Sequence, residues 1–343
     1  MNFPKFQSDY MEGAHVSILE RLIETNLEKT VGYGEDEYSK SAKEKIKAAC
    51  NAPNARVHFL VGGTQTNATV IDSILAPYQG VVSALTGHIA CHESGAIEAS
   101  GHKIITIPSH EGKISAKELE AVFVGYMNDE SREHTVMPGA VYVSHPTEYG
   151  TLYTKAELAE IHSICKKYDA PLFLDGARLG YGLVANGTDL TLSDIAEYTD
   201  VFYIGGTKVG ALFGEAVVIT NEKLCPCFLT MIKRHGAMLA KGRLLGIQFD
   251  TLFTDGLYLK IARNAIDMAE YLKAELLKRG YSFHIDSPTN QLFVIISDEK
   301  IKVLRENVGC TYWERIDDKS SVIRFVTSFA TTKEQVDELL KFL

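Results

Sequence analysis

Val201-Phe202-Tyr203-Ile204-Gly205-Gly206-Thr207-Lys208-Val209-Gly210 is an apolar run that breaks into a glycine-rich turn containing one lysine. The run reads as a strand buried on both faces, with the turn holding Lys208 at its end. Glycines there permit close approaches that a Cβ would block, as a bulky planar ligand over the turn would require. Taken alone, such a turn more commonly carries an exposed surface lysine. A phosphate-binding P-loop is a further rival, but it needs Lys followed by Ser or Thr, whereas here Thr207 precedes Lys208.

About thirty residues upstream, Pro171-Leu172-Phe173-Leu174-Asp175-Gly176-Ala177-Arg178 repeats the arrangement: an apolar strand ends in an acid, a glycine and a basic residue. Asp175 there serves either a ligand or a helix N-terminus. Leu60-Val61-Gly62-Gly63-Thr64-Gln65-Thr66-Asn67 is a third such element, a strand followed by small residues and a helix start whose backbone N–H groups can hold a phosphate. By itself this third signal is weak.

From about residue 57 to 220, short apolar runs alternate with helical patterns. The runs are Val57–Val61, Val81–Leu85, Ile104–Ile107, Ala140–Val143, Leu172–Leu174, Val201–Ile204 and Ala216–Ile219. Helix starts are marked by Ser115 with Glu118 and by Thr154 with Glu157, pairs that can cap orphan N–H groups. The alternation predicts an α/β architecture, a mainly parallel sheet wrapped by helices, with ligands bound beyond the carboxyl ends of the strands. After residue 225 the pattern predicts one long helix from Leu244 to Lys278, stopped by Arg279-Gly280. A smaller α+β unit follows, with strands at Leu292–Ile296 and Val322–Val326 and a last helix from Thr331 or Thr332. The expected organisation is an N-terminal segment, 1–45, packing with the small unit, a large domain, 46–240, and a small C-terminal α+β domain, 241–343.

The chain has 343 residues, 45% hydrophobic and 23% charged, an ordinary globular composition that allows a large core plus a smaller one. Its formal net charge of -9 and the lack of long basic runs argue against nucleic acid and anionic membranes as partners. Met1-Asn2-Phe3-Pro4-Lys5 lacks the apolar core of a signal peptide, and no apolar stretch approaches a membrane span, so the expected location is cytoplasmic. Six scattered cysteines read as reduced thiols rather than a disulfide framework.

The order and spacing of Gly63-Thr64, Asp175 and Lys208 resemble the fold-type I pyridoxal-phosphate enzymes and, within them, the threonine aldolase and β-eliminating lyase family. The resemblance runs from Ser8-Asp9 and Tyr33-Gly34-Glu35-Asp36 through Asp175-Gly176-Ala177-Arg178-Leu179 to Arg324-Phe325-Val326-Thr327. It implies the aspartate-aminotransferase type of fold, with a seven-stranded sheet in the large domain, and pyridoxal 5'-phosphate as cofactor. Asp175 would pair with the pyridine nitrogen, and Lys208 would form the Schiff base, which needs a neutral amine. Gly63, Thr64 and Gln65 would hold the phosphate, with Thr207, Arg178 and Arg243 completing the cofactor site.

In Thr86-Gly87-His88-Ile89-Ala90-Cys91-His92-Glu93-Ser94-Gly95-Ala96, His88 matches the imidazole expected over the cofactor ring. His88 and His92 also fall at helical spacing, so a metal pair is a rival, but no third ligand suggests itself and no metal is expected. Arg178 and Arg324 match substrate-carboxylate arginines, Ser8 assists them, and Tyr33 matches a further substrate-site position. Some such residues enter from a neighbouring subunit in relatives, which implies a homodimer or homotetramer with shared sites.

One segment departs from the family. Better-known aldolases carry a Thr-His-Asn-Gly type segment, and Ser144-His145-Pro146-Thr147-Glu148-Tyr149-Gly150 places Glu148 where that histidine would stand, with His145 three positions earlier. The candidate bases are His88, Glu148 or a water between them. The implied activity is retro-aldol cleavage of L-threonine, L-allo-threonine or a related β-hydroxy-α-amino acid to glycine and an aldehyde. The alternatives are a β-eliminating lyase or another amino-acid enzyme on the same fold, and more distantly a non-catalytic protein, which would not need the lysine, the aspartate and both arginines. A nicotinamide dehydrogenase would require a glycine fingerprint that the chain lacks.

Overall fold

The computed structural model describes residues 4–343, so residues 1–3, on which part of the location reading rests, lie outside the described residues. All seven apolar runs between residues 57 and 220 form strands: β1 (Arg56–Leu60), β2 (Gln79–Ala84), β3 (Ile104–Ile107), β4 (Met137–Ser144), β5 (Leu172–Asp175), β6 (Val201–Gly205) and β7 (Glu215–Ile219). They make one sheet in the order β1-β7-β6-β5-β4-β2-β3. Only β7 runs against its neighbours, β1 and β6. Every residue of β5, β6 and β7 is buried, which is why these strands read as unbroken apolar runs rather than alternating ones.

Successive side chains leave opposite faces of the sheet. Phe202 and Ile204 join the core that includes Leu174 and Phe249, while Val201 and Tyr203 join the other face with Phe173 and Val217. Each such apolar side chain contributes about 1.5–3 kcal/mol by burial. The flanking helices start at the expected caps. Ser115 accepts from the Glu118 N–H, and Thr154 with Glu157 forms a reciprocal capping box.

The expected long helix is two helices, Arg243–Leu252 and Leu257–Lys278. The break falls where Asp255 (φ 51°) and Gly256 (φ 68°) adopt left-handed backbone, which no helix continues through. The Arg279-Gly280 stop occurs as anticipated, with Gly280 at φ 83°.

The N-terminal segment is placed differently from the expectation. Helices Val16–Glu24 and Glu37–Ala49 bring Ile18, Ala42 and Ile46 into the main core beside Phe249 and Leu252. Gly246 permits the approach, because a Cβ there would lie 2.6 Å from the Ser39 backbone nitrogen. Only the extended start packs with the small unit: Phe6 enters that core, its N–H bonding Gly309 O and its carbonyl accepting from Val326 N–H. Helix Leu257–Lys278 contributes to both cores, with Ile261 and Ile266 in the large one and Ala269, Leu272 and Leu276 in the small one.

The small unit is a four-stranded antiparallel sheet of β8 (Ser282–Ile285), β9 (Gln291–Ser297), β10 (Thr311–Arg315) and β11 (Ser320–Val326), in the order β10-β11-β9-β8. β9 and β11 match the expected strands. β8 and β10 were not anticipated because they are half-exposed edges with polar sequences, SFHI and TYWER. The last helix, Lys333–Leu340, starts from the Thr332 cap. Among the described residues no helix is long and apolar enough to cross a membrane.

Candidate active site

Parallel β1, β4, β5 and β6 end along one edge of the large sheet, and antiparallel β7 begins there. Ser144 pairs with Asp175, and Glu215 faces both Leu60 and Gly205 across the ladder. This edge opens into a cavity of about 210 Å³ lined by Gly63, Thr64, Asp175, Thr207 and Lys208. A second cavity shares His88, Glu148, Arg178 and Lys208 with it and extends to Tyr10, Trp313 and Arg324 at the small unit.

The floor is built by backbone packing. A Cβ on Gly176 would lie 2.0 Å from the Tyr203 carbonyl oxygen, and one on Gly205 would lie 2.3 Å from the Ala177 carbonyl oxygen. Two bare glycines therefore let the turns after β5 and β6 touch. Asp175 stands on this floor, accepting from Tyr203 Oη (2.5 Å) and the Ala177 N–H (2.9 Å) on one oxygen, and from Tyr142 Oη (2.6 Å) and Asn67 Nδ2 (3.0 Å) on the other. Burial opposes its charge, but His88 and these donors together hold the carboxyl below its ordinary range. Lys208 shows the opposite balance. Burial first, then the Arg178 guanidinium, lowers its amine below the usual lysine value, despite Asp9, Asp175 and Glu215 nearby.

Beside the same cavity, helix Gly63–Ile74 begins with Gly62 as N-cap and no side-chain cap bond, leaving first-turn N–H groups available to an anion. Gly63, Thr64 and Thr207 all line the cavity. The Gln65 side chain turns away: its Oε1 accepts from the Val61 N–H and its Nε2 donates to His235 O.

Pyridoxal 5'-phosphate fits this donor set. A buried ionised carboxylate with only neutral hydrogen-bond donors suits a protonated ring nitrogen, the uncapped turn suits a phosphate, and a lysine disfavoured as a cation lines the same cavity.

His88 opens a one-turn helix, His88–Cys91, and its Nδ1 lies 2.6 Å from Glu93 Oε1. Burial lowers the imidazole, but Glu93 and Asp175 outweigh it and leave His88 more basic than an ordinary histidine. Asn67 Nδ2 also donates to Glu93 (2.9 Å), tying His88 to Asp175 through one amide. Glu148 Oε1 accepts from the His88 backbone N–H (2.8 Å) and Ser144 Oγ (2.6 Å). Burial raises its carboxyl above the ordinary glutamate value. His145 is fully buried with neither ring nitrogen bonded, so Glu148 rather than His145 faces the cavity.

The two arginines differ. Arg178 is engaged by Asp9 through Nε (2.7 Å) and Nη2 (3.0 Å). Among the described residues Arg324 has only Gln291 Oε1 (3.2 Å) and Gln7 O (3.3 Å) as acceptors, with no partner for its buried Nε, and it lies over the Trp313 ring at 5.2 Å. Ser8 is buried beside Asp9, its hydroxyl without a partner. Tyr33 lines a separate cleft with Gly242, while Arg243 donates to the carbonyls of Glu28 and Thr25. Within one chain neither reaches the cavity around Lys208.

Sequence reading assigned no role to Asp9, Asn67, Tyr142, Tyr203, Glu215 or Trp313. A signal existed for the tyrosines, whose polar tips interrupt the aliphatic strands AVYVS and VFYIG. Asn67 gave none, since its partners are 26 and 108 residues away in sequence.

Residues 5–298 match the family model described as beta-eliminating lyase. A low specificity L-threonine aldolase from Pseudomonas sp. is 27% identical over 338 residues, covering 98% of this chain and 95% of its own length. A threonine aldolase structure from Leishmania major superposes with a TM-score of 0.95 at 41% identity, covering 98% of this chain and 97% of that one. A Thermus thermophilus aspartate aminotransferase shares the fold at 12% identity, with a TM-score of 0.71 over 99% of this chain and 91% of its own. The architecture is that of the fold-type I enzymes, and the chain belongs to the beta-eliminating lyase family, alongside the threonine aldolases.

Proposed function

We propose that the protein is a pyridoxal-phosphate-dependent carbon–carbon lyase that cleaves L-threonine and L-allo-threonine, or related β-hydroxy-α-amino acids, to glycine and an aldehyde. The observation that carries this reading is the meeting of Asp175, Lys208, Glu148 and two arginines around connected cavities. When bound, the cofactor withdraws electrons from the bonds at Cα of an attached amino acid.

Asp175 would hold the ring nitrogen protonated, and Lys208 would anchor the cofactor covalently. Arg324, which has no carboxylate partner of its own, takes the substrate carboxylate, with Arg178 fixed beside it by Asp9. Glu148 accepts the β-hydroxyl proton as the Cα–Cβ bond breaks and the hydroxyl oxygen becomes the aldehyde carbonyl. Cα takes a proton from solvent to give glycine, and the proton held by Glu148 returns to solvent, so the two transfers balance. Glu148 suits the base better than His88, because its carboxyl group lines both cavities while the His88 ring is tied through Nδ1 to Glu93. Burial raises its carboxyl above the ordinary glutamate value, which makes the carboxylate a stronger base.

A homo-oligomer completes the site by bringing Tyr33 and Arg243 from a second copy. This is supported by the exposure of Tyr33 near Ile23, Leu27 and Val31, apolar residues that lie open to solvent. All six cysteines are free thiols, which favours the reducing cytoplasm as the location.

The test is to incubate cofactor-loaded protein with each threonine diastereomer and assay glycine, acetaldehyde and 2-oxobutanoate, with Lys208→Ala as the blank. Lysine-dependent glycine with matching acetaldehyde supports the aldolase. Lysine-dependent 2-oxobutanoate and ammonia without glycine would replace it with β-elimination.

A further inference from the structure

Glu215 is a carboxylate that the proposed reaction does not use. It opens β7 beside the uncapped helix start and is 3% exposed, yet it lines the same cavity as Gly63, Thr64, Thr207 and Lys208. Its Oε2 accepts from the Gly206 N–H (3.1 Å), and its Oε1 lies 2.8 Å from Thr207 Oγ1. Thr207 Oγ1 also accepts from the Gly214 N–H (3.0 Å).

Thr207 Oγ1 also stands 3.5 Å from Gly214 O, at the outer limit of a hydrogen bond, so the state of Glu215 decides its hydrogen count. A threonine hydroxyl has one proton to give and two lone pairs to fill. If Glu215 is ionised it can only accept, so the Thr207 proton points at Glu215 and Thr207 offers nothing to the cavity. If Glu215 is neutral, its own proton can fill the second lone pair of Thr207 Oγ1, and the Thr207 proton turns toward the cavity.

We infer that Glu215 is a positioning residue of the phosphate end of the cavity, taking up one proton from solvent as the cofactor phosphate binds and so freeing the Thr207 hydroxyl to donate to that phosphate. The inference rests on the cofactor assignment above. An ionised carboxylate at that end would repel the phosphate; a neutral one bonded to Thr207 supplies it a donor. The charged and titratable groups facing Glu215 are Lys208 on the adjoining turn, Asp175 at the end of β5, Tyr203 on β6 and Tyr258 on helix Leu257–Lys278. Lys208 favours the ionised form, but burial dominates, with Asp175 in support, and pushes the Glu215 carboxyl up to about 8. A phosphate dianion acts in the same direction as Asp175.

The experiment is calorimetric titration of the cofactor-free full chain with pyridoxal 5'-phosphate and, separately, with pyridoxal, in buffers of different ionisation heat, below and above about pH 8. Wild type and Glu215→Gln are compared. Above that pH, wild type should take up close to one more proton per site than Glu215→Gln with the phosphorylated ligand, and no more with pyridoxal. Its affinity should also fall with pH about tenfold per unit more steeply than the variant's. Thr207→Ala keeps the test open should the glutamine variant misfold: it should lose much of the preference for the phosphorylated ligand, and an unchanged preference overturns the inference. Equal proton counts and pH slopes in wild type and folded Glu215→Gln overturn the inference while leaving the cofactor assignment intact. A wild-type chain that binds no pyridoxal 5'-phosphate at any pH overturns both.

Discussion

Replacing Arg324 by alanine should disable substrate capture without destabilising the fold, whereas the same change at Arg178 should do the reverse. Arg324 is disfavoured where it stands: burial and the neighbouring Arg178 lower its guanidinium to about 10, and its two contacts are long. Removing it leaves no buried charge without a partner. A substrate carboxylate would supply charge-assisted bonds at about 1.5–3 kcal/mol each, so loss of a two-bond grip costs about 3 kcal/mol or more, roughly 100-fold in kcat/KM. Because the carboxylate is held alike throughout the reaction, most of the loss should appear in KM. Arg324→Lys should recover only part of it, since an ammonium cannot offer the two parallel bonds. In Arg178→Ala, Asp9, 1% exposed, loses its bidentate partner, and breaking a buried pair costs about 3–5 kcal/mol. The assays are glycine release against L-threonine concentration and urea unfolding of each variant. An Arg324→Ala enzyme with kcat/KM within about threefold of wild type would refute the reasoning.

Glu148→Gln should slow cleavage by about 10²–10⁴-fold while the bound-cofactor absorbance persists, and an unchanged rate would return the base to His88. Gly176→Ala should lower the urea midpoint or abolish folding, because its Cβ would meet the Tyr203 carbonyl oxygen at 2.0 Å, a backbone atom that cannot rotate aside. The buried His145 imidazole is lowered to about 4 by burial. Its folded value lies below its unfolded one, so the unfolded chain binds the extra proton and stability falls as pH drops through about 6.5 toward 4, by about 3 kcal/mol in all. Denaturation of His145→Phe across that window should show a shallower loss than wild type, and parallel curves would rule His145 out as the source.

The large sheet and its two chemical anchors were legible because their causes are local. Strands buried on both faces must be continuous apolar runs, and a strand that ends in Asp175-Gly176 or Gly205-Gly206 announces its turn. The small unit was half legible, since interior β9 and β11 carry apolar runs while edge strands β8 and β10, wetted on one side, do not. The break at Asp255-Gly256 escaped notice because the helical period of apolar residues resumes beyond it.

The sequence by itself determined the order of strands and helices, the placement of Lys208 and Asp175 at strand ends and the caps of the helices, since neighbouring residues decide each of these. Only the tertiary structure decided which distant groups meet: Asp9 with Arg178, Asn67 between Glu93 and Asp175, Gln65 turned to His235, and Glu215 against Thr207. It likewise decided that the first two helices pack on the large domain. Such meetings depend on ladder register and on how closely backbones can approach at glycines such as Gly176 and Gly246, and neither periodicity nor composition encodes a partner far along the chain.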